Sequence, residues 1–237
     1  GEGKMSSPRQ IFAHLKDYFN KKNIVKMKNW KAIVTTGPTR EYIDPVRYIS
    51  NESSGKQGYE IAIALNKLGI TTTLIAGPSN LISPKGLKVK KITTADEMLD
   101  EVKKSLPVDL VVCAAAVTDF KPVKKNKNKI KKENINLQSI AFVKNNDILE
   151  YISKNNKHRP RLVAGFSAET ENLTKNSISK MKKKHCDLIF ANDVSQKKIG
   201  FNSDYNKILV IDKRGNIKTI PKNKKSFIAN KIAEILL

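Results

Sequence analysis

The sequence predicts an α/β fold: a Rossmann-like, doubly wound, mainly parallel sheet with a small antiparallel extension and a flexible Lys-rich lid. Three observations predict it. Short apolar runs rich in Val, Ile and Ala, the first two closed by Gly-Pro, read as buried strands. They alternate with amphipathic helical stretches in the order β-loop-α-β-α-β, which asks for right-handed crossovers between parallel strands. Two late apolar runs flank the turn Arg214-Gly215-Asn216 and read as an antiparallel pair.

The elements follow in order. Residues 1–29 stand apart: Ile11, Leu15 and Phe19 fall at helical spacing, and a Lys/Asn-rich linker follows. The main domain, residues 30–237, opens with the strand Ala32-Ile33-Val34-Thr35-Thr36, ended by Gly37-Pro38. A long polar loop runs to Gly55. Ile61, Ala62, Leu65 and Leu68 mark one face of a helix that stops at Gly69. Strands are expected at Thr71 to Ala76, Val89 to Ile92 and Asp109 to Cys113, with a helix from Ala95 to Leu106 before the last. Residues 121–133 are Lys- and Asn-rich with almost no apolar anchor, which is the composition of a mobile lid. Beyond them come a strand near Ala141-Phe142-Val143, a helix from Asp147 and the strand Leu162 to Phe166. A helix over Asn172 to Lys184, the strand Asp187 to Ala191, the pair Ile208 to Ile211 and Ile217 to Ile220, and a C-terminal helix complete the chain.

Composition excludes several classes. The 237 residues are 39% hydrophobic and 6% aromatic, enough for a core. No run approaches the ~18 apolar residues of a membrane span. The start Gly1-Glu2-Gly3-Lys4 has neither Met nor an apolar stretch behind it, so no signal peptide is expected, and a piece of a longer chain is. Cys113 and Cys186 are the only cysteines and sit in or beside apolar runs, which suits a reducing cytosol rather than a disulfide framework. His14, His158 and His185 are scattered and lack the spacing of a zinc site. The formal charge of +23 invites a nucleic-acid reading, but only six of the 45 basic residues are Arg and the Lys are spread among Asn and Ile. A solvated basic surface is the better account, and neither nucleic-acid nor membrane partners are expected.

Five stretches carry candidate chemistry. Ser53-Ser54-Gly55-Lys56-Gln57-Gly58 opens the first helix, where backbone amides and the helix dipole attract anions. It is neither GxGxxG nor a Walker A sequence, so neither a nicotinamide cofactor nor an ordinary P-loop is indicated; read alone, it is equally a glycine-assisted cap. The loop before it brings Arg47, suited to a carboxylate or phosphate, and Asn51, which offers both donor and acceptor. Cys113-Ala114-Ala115-Ala116-Val117-Thr118-Asp119-Phe120 ends a sheet strand at the edge where open α/β sheets bind ligands. Lys129-Ile130-Lys131-Lys132 lies on the lid, and Lys180 and Lys184 stand at i and i+4 on one helix face.

Taken together these motifs resemble the phosphopantothenate–cysteine ligase (phosphopantothenoylcysteine synthetase) family. Gly37-Pro38-Thr39-Arg40-Glu41, Asp44 to Asn51 and Ser53 to Lys56 are similar to its motifs. So are the alanine run to Phe120, Lys-x-Lys-Lys at 129–132, Gly165-Phe166-Ser167-Ala168-Glu169-Thr170 and Ala191-Asn192-Asp193-Val194. They stand in the same order with similar gaps, from about Lys31 to the C-terminus. Gly1 to Pro8 is similar to the last motif of a flavin-dependent decarboxylase that precedes the ligase in bifunctional bacterial chains, with Lys4 where Arg is usual.

The resemblance implies a cytoplasmic step of coenzyme A synthesis. Phosphopantothenate and L-cysteine are joined through an acyl-cytidylate, with CTP as co-substrate, Mg²⁺ on the triphosphate and no FMN in this fragment. It implies that Asn51 contacts the acyl intermediate and that Lys129 acts from the lid on the nucleotide. Arg47, Asn51 and Ala116 would hold phosphopantothenate. Ser54, Gly55, Ala114, Ala115, Asp119, Asn146, Asp147, Ile148, Leu149, Phe166, Lys180 and Lys184 would line the CTP site. A homodimer is implied too, with the lid reaching toward a neighbour's site. Two rivals stand beside this reading: a nicotinamide oxidoreductase, which lacks its glycine fingerprint here, and a basic nucleic-acid module.

Overall fold

In the computed structural model, residues 7–11, 29–131, 140–155, 157–195 and 203–237 are described. Leu15 and Phe19 of the first expected helix, most of the decarboxylase-like motif, and Lys132 of the lid therefore lie outside them.

Eight strands form the central sheet. In spatial order they are β12 (Ile217–Lys224), β11 (Tyr205–Asp212), β10 (Leu188–Asp193), β9 (Leu162–Glu169), β6 (Leu110–Cys113), β1 (Lys31–Thr36), β4 (Thr71–Ala76) and β5 (Lys88–Lys91). The six from β10 to β5 are parallel, and β11 and β12 continue the sheet antiparallel. This is the doubly wound arrangement expected, with the antiparallel extension at one edge. The chain leaves β1 toward β4 and β5, then returns past β1 to β6. The crevice between the carboxyl ends of β1 and β6 is therefore the topological switch point, where such sheets bind ligands.

Helices cover both faces. α1 (Lys56–Lys67) and α5 (Lys225–Leu236) pack on one, burying Ile61, Leu65, Ile228 and Ile232 against Val34, Leu74, Val112 and Phe190. α2 (Ala95–Ser105), α3 (Ile148–Ser153) and α4 (Leu173–Lys184) pack on the other, burying Met98, Val102, Ile152 and Met181 against Ile33, Ile75, Val111 and Ile189. Neighbouring strand residues such as Ile33 and Val34 serve opposite cores, so the strands read as unbroken apolar runs. α2 begins with a full capping box: Thr94 accepts from the Glu97 amide while the Glu97 carboxylate reaches back to Thr94.

Two short ribbons add three strands where the sequence suggested loop; the fourth is the strand expected near Ala141-Phe142-Val143. β2 (Arg40–Tyr42) pairs with β3 (Tyr48–Ser50), and β7 (Phe120–Pro122) pairs with β8 (Phe142–Lys144). The first is closed around Asp44, whose wholly buried carboxylate accepts from the amides of Val46 and Arg47 at 2.8 Å each and of Ile130 at 3.2 Å. Burial pushes this carboxyl upward, but those backbone bonds and the adjacent Arg47 outweigh it and leave the pKa lowered.

Candidate active site

The crevice is built by four segments that end at one edge of the sheet. The turn after β1 is joined to the alanine run after β6: the Ala114 amide donates to Thr35 O at 3.1 Å and the Ala116 amide to Gly37 O at 2.9 Å. Buried side chains lock the same two loops. Thr39 Oγ1 and Thr118 Oγ1 are 2.9 Å apart, Thr118 Oγ1 donates to Glu41 Oε1 at 3.3 Å, and that oxygen also accepts the Ala95 amide at 2.9 Å. Thr39, Glu41 and Thr118 thus act as the brace that aligns two site loops with the start of α2. The third segment is the start of α1. Gly55 sits at φ +73°, and its carbonyl accepts from Thr36 Oγ1 at 2.7 Å. The fourth is the carboxyl end of β9 and β10.

These segments enclose a cavity of about 400 Å³. A chamber of about 150 Å³ shares the walls formed by Ala115, Val117, Asp119, Phe166 and Lys180. The larger space is walled by Asn51, Ser54, Gly55, Ala114 and Ala116 as well; the smaller one by Asn146, Asp147, Ile148 and Leu149. Asn51, Asp119 and Lys180 therefore face one shared space.

Asn51 has a defined orientation. Its Nδ2 donates to Val117 O at 2.9 Å, with Ala116 O at 3.4 Å. Both neighbours are carbonyl oxygens, so the amide nitrogen must face them and Oδ1 is left as the acceptor. Cys113 lines the smaller chamber, and burial, then the charge of Asp147, push its thiol up to about 12. A thiol held protonated is no nucleophile.

Three predicted site residues are placed elsewhere. Arg47 Nη2 donates to Ile130 O at 2.7 Å, and Arg47 Nε stands 3.5 Å from Asp44 Oδ2, so it pins the root of the lid beside the β2–β3 ribbon. Lys129 is exposed next to that anchor and does not line the cavity. Lys184 Nζ lies 2.8 Å from both Asp147 Oδ2 and Glu150 Oε2, on the outer side of the smaller chamber.

Comparison with known proteins decides the family. Residues 27–237 match the family described as DNA/pantothenate metabolism flavoprotein C-terminal domain, DFP. The chain belongs to this family. Among its relatives is the coenzyme A biosynthesis bifunctional protein CoaBC of Haemophilus influenzae, 40% identical over 237 residues; the match takes in the whole of this chain and 58% of that protein. The namesake from Borreliella burgdorferi is 40% identical over 236 residues, covering 99% of this chain and 58% of the relative. The chain thus spans under two thirds of the length of these relatives. The crystal structure of the C-terminal domain of a CoaBC protein superposes with a TM-score of 0.72 at 31% identity, covering 87% of this chain and 93% of that one. A Cab2 mutant in complex with phosphopantothenate-cysteine shares the fold, with a TM-score of 0.66 at 13% identity over 98% of this chain.

In this DFP domain sequence reasoning missed part of the cavity wall. Asn192, Asn206 and Lys225 also line it. Asn192 lay in a recognised motif without a role; Lys225 opens the last helix and carried no local signal. No described helix is long and apolar enough to cross a membrane.

The double contact at Lys184 yields a testable expectation. Bonds from Lys154 and Lys184 hold the Glu150 carboxyl down at about 2. At Lys184 burial alone would lower the pKa, and the bonds to Asp147 and Glu150 reverse that and raise it. A carboxyl lowered on folding stabilises the fold above its usual range near 4.5 and stops doing so as pH falls toward 2. Lys184→Met should therefore lower the unfolding free energy at pH 7, read from urea denaturation, by about 1 kcal/mol after solvent screening, and the gap to wild type should close below pH 4. An equal gap at both pH values would contradict this role.

Proposed function

We propose that this domain joins L-cysteine to 4'-phosphopantothenate, with CTP converted to CMP and pyrophosphate. The observation that carries the reading is the single cavity shared by Asn51, the alanine run, Asp119, Lys180 and the start of α1. Its two chambers lie on opposite sides of the carboxyl edge of the sheet, one beside α3, the other beside α1 and α5. That shape suits a nucleoside in the smaller chamber, with the chain of phosphates crossing the alanines toward the α1 amides.

The chemistry then runs in two steps. A carboxylate oxygen of phosphopantothenate attacks the α-phosphorus, the bond to the β-phosphate oxygen breaks, and pyrophosphate departs. The cysteine amine next attacks the acyl carbon; the acyl–phosphate bond breaks, CMP takes the electron pair and the amine proton is lost. Asn51 Oδ1, fixed by the Nδ2 bond to Val117 O, is placed to accept from that amine. Mg²⁺ would neutralise the triphosphate. Among the described residues no three His, Cys, Asp or Glu converge as a metal set, so Asp119 at the cavity wall would be its protein contact beside phosphate oxygens.

Lys129 belongs to the same proposal as a lid residue. Ile130, its neighbour, is held by Asp44 and Arg47 beside the β2–β3 ribbon, so Lys129 would have to reach the nucleotide from that anchored position. Lys129→Gln should lower pyrophosphate release by at least about tenfold with an unchanged melting temperature; unaltered release would reject the role. A homodimer, a cytoplasmic setting and an upstream decarboxylase domain belong to this reading too. The β7–β8 ribbon exposes Phe120, Phe142 and Val143 beside the lid, a face a second copy would cover.

The direct test mixes the protein with phosphopantothenate, cysteine and each nucleoside triphosphate, and identifies the amide and the released monophosphate. Amide with CMP supports the proposal; no amide with any nucleotide overturns it.

A further inference from the structure

The described arm of the lid is stitched to the β2–β3 ribbon and its turn. The Asn126 amide donates to Ile43 O at 2.9 Å, Lys125 Nζ stands 5.0 Å from the centre of the Tyr42 ring, and Arg47 Nη2 donates to Ile130 O at 2.7 Å. The ribbon is stiffened in turn by its own rings. Tyr42 and Tyr48 meet edge to face with centroids 5.4 Å apart, and the Arg40 guanidinium lies 4.6 Å from the centre of the Tyr48 ring. β3 runs on directly into Asn51, and Ser50 Oγ donates to Thr39 O at 2.8 Å. One small ribbon therefore carries both Asn51 and the root of Lys129.

These bonds converge on Asp44, whose two oxygens have separate partners. Oδ1 accepts the amides of Val46 and Arg47 at 2.8 Å each and closes the turn. Oδ2 accepts the Ile130 amide, 86 residues further along the chain, at 3.2 Å, with Arg47 Nε at 3.5 Å. The second oxygen thus meets only the lid and the side chain that shares its hold on Ile130. Closing a turn takes a single acceptor, which asparagine or serine also supplies. A carboxylate with a wholly buried side chain is costly unless its further lone pairs find donors too. Asp44 offers more acceptors than its turn can use, and the surplus goes to the lid.

We infer that Asp44 is a positioning residue for the lid: through Oδ2 it fixes the backbone at Ile130 and so sets the point from which Lys129 reaches toward the nucleotide. The step that Lys129 serves rests on the ligase reading; the anchor itself is a property of the fold. A lysine ammonium sits on a long flexible stem, so it is placed only as well as its backbone is. Freeing the root spreads the ammonium over many positions and lowers its effective concentration at the phosphates.

Asp44→Asn separates the two oxygens. Asparagine keeps Oδ1 on the Val46 and Arg47 amides and sets Nδ2 against the Ile130 amide, donor against donor, so the turn stays and the lid root is released. The test follows the Ile130, Val46 and Arg47 amides by hydrogen exchange without substrates, and pyrophosphate release during turnover. Both are measured in wild type, Asp44→Asn, Lys129→Gln and the double variant. In Asp44→Asn, exchange at Ile130 should be at least about tenfold faster, with Val46 and Arg47 still protected. Pyrophosphate release at saturating substrates should fall about tenfold. The double variant should release pyrophosphate no more slowly than Lys129→Gln alone, because Asp44 acts through that lysine. Additive losses in the double variant, or wild-type exchange at Ile130 in Asp44→Asn, overturn the inference. Ile130→Pro removes the donor from the lid side and leaves the buried carboxylate in place. Should Asp44→Asn not fold, an about tenfold loss of pyrophosphate release in Ile130→Pro supports the anchor and unaltered release overturns it. The two readings fail separately. No amide from the wild-type chain with any nucleotide removes the ligase and leaves the anchor, read by exchange, standing; normal amide formation with additive losses removes the positioning role alone.

Discussion

Asn51→Ala is expected to reduce amide formation about 10²- to 10³-fold while pyrophosphate release from CTP and phosphopantothenate continues. The reason is the way the side chain is held. Its nitrogen is committed to Val117 O at 2.9 Å, so the group it can offer a substrate is an acceptor. The activation step breaks a phosphorus–oxygen bond and has no N–H to orient. The second step presents an amine, which must point its lone pair at the acyl carbon and its N–H elsewhere. An acceptor fixed by the same loop that lines the acyl site does this, and alanine does not. Asn51→Asp should fare no better. It keeps an acceptor, but sets carboxylate oxygens against the Ala116 and Val117 carbonyls and loses the bond that fixes the loop. Rapid-quench sampling of acyl-cytidylate and amide separates the steps. Parallel loss of both steps, or amide formation at the wild-type rate, would defeat the assignment.

Much of the frame was legible in the sequence because the sheet is buried on both faces. The run Thr71 to Ala76 is found as a strand over those same residues, and the other central strands shift by a few residues at their ends. Of the two ribbons, only β8 was legible, as the strand near Ala141-Phe142-Val143. Arg40-Glu41-Tyr42 and Tyr48-Ile49-Ser50 are short and polar, and they pair because Asp44 gathers the intervening amides, a fact of geometry with no periodic trace. Motif residues divided in a way their spacing does not reveal. Asn51 and Lys180 face the cavity, whereas Thr39, Glu41 and Thr118 brace it from within. Lys180 and Lys184 share a helix face, but the partners of Lys184 come from α3 and its approach, so i, i+4 spacing alone could not separate their environments. Lys225 was silent, since its place depends on β12 feeding α5 directly into the same sheet edge as α1.

Gly58→Val should be the most damaging single change on α1, for stability and for nucleotide binding at once. A Cβ at Gly58 would stand 2.3 Å from Thr36 Oγ1 and 2.5 Å from Thr36 Cβ. Both belong to the end of β1, and the same hydroxyl holds the Gly55 carbonyl at 2.7 Å. The first turn of α1 is therefore seated on the strand with no room for a side chain, and valine must lift it. Overpacking of this kind costs about 1–3 kcal/mol, and loss of the Thr36–Gly55 bond adds about 1 kcal/mol. The functional cost is separate. The amides proposed to meet phosphate belong to the displaced turn, and a shift of about 1 Å in such donors is worth about 10²-fold in rate. Gly69→Ala is the matching control. Gly69 ends the same helix at φ +85° with nothing within 4 Å of its added Cβ, so alanine there strains only the backbone. It should cost about 1 kcal/mol of stability and leave nucleotide affinity alone. If both variants lost stability but kept the same affinity for CTP, the seat of α1 on Thr36 would matter to folding only, and the anion site would have to lie away from the helix start.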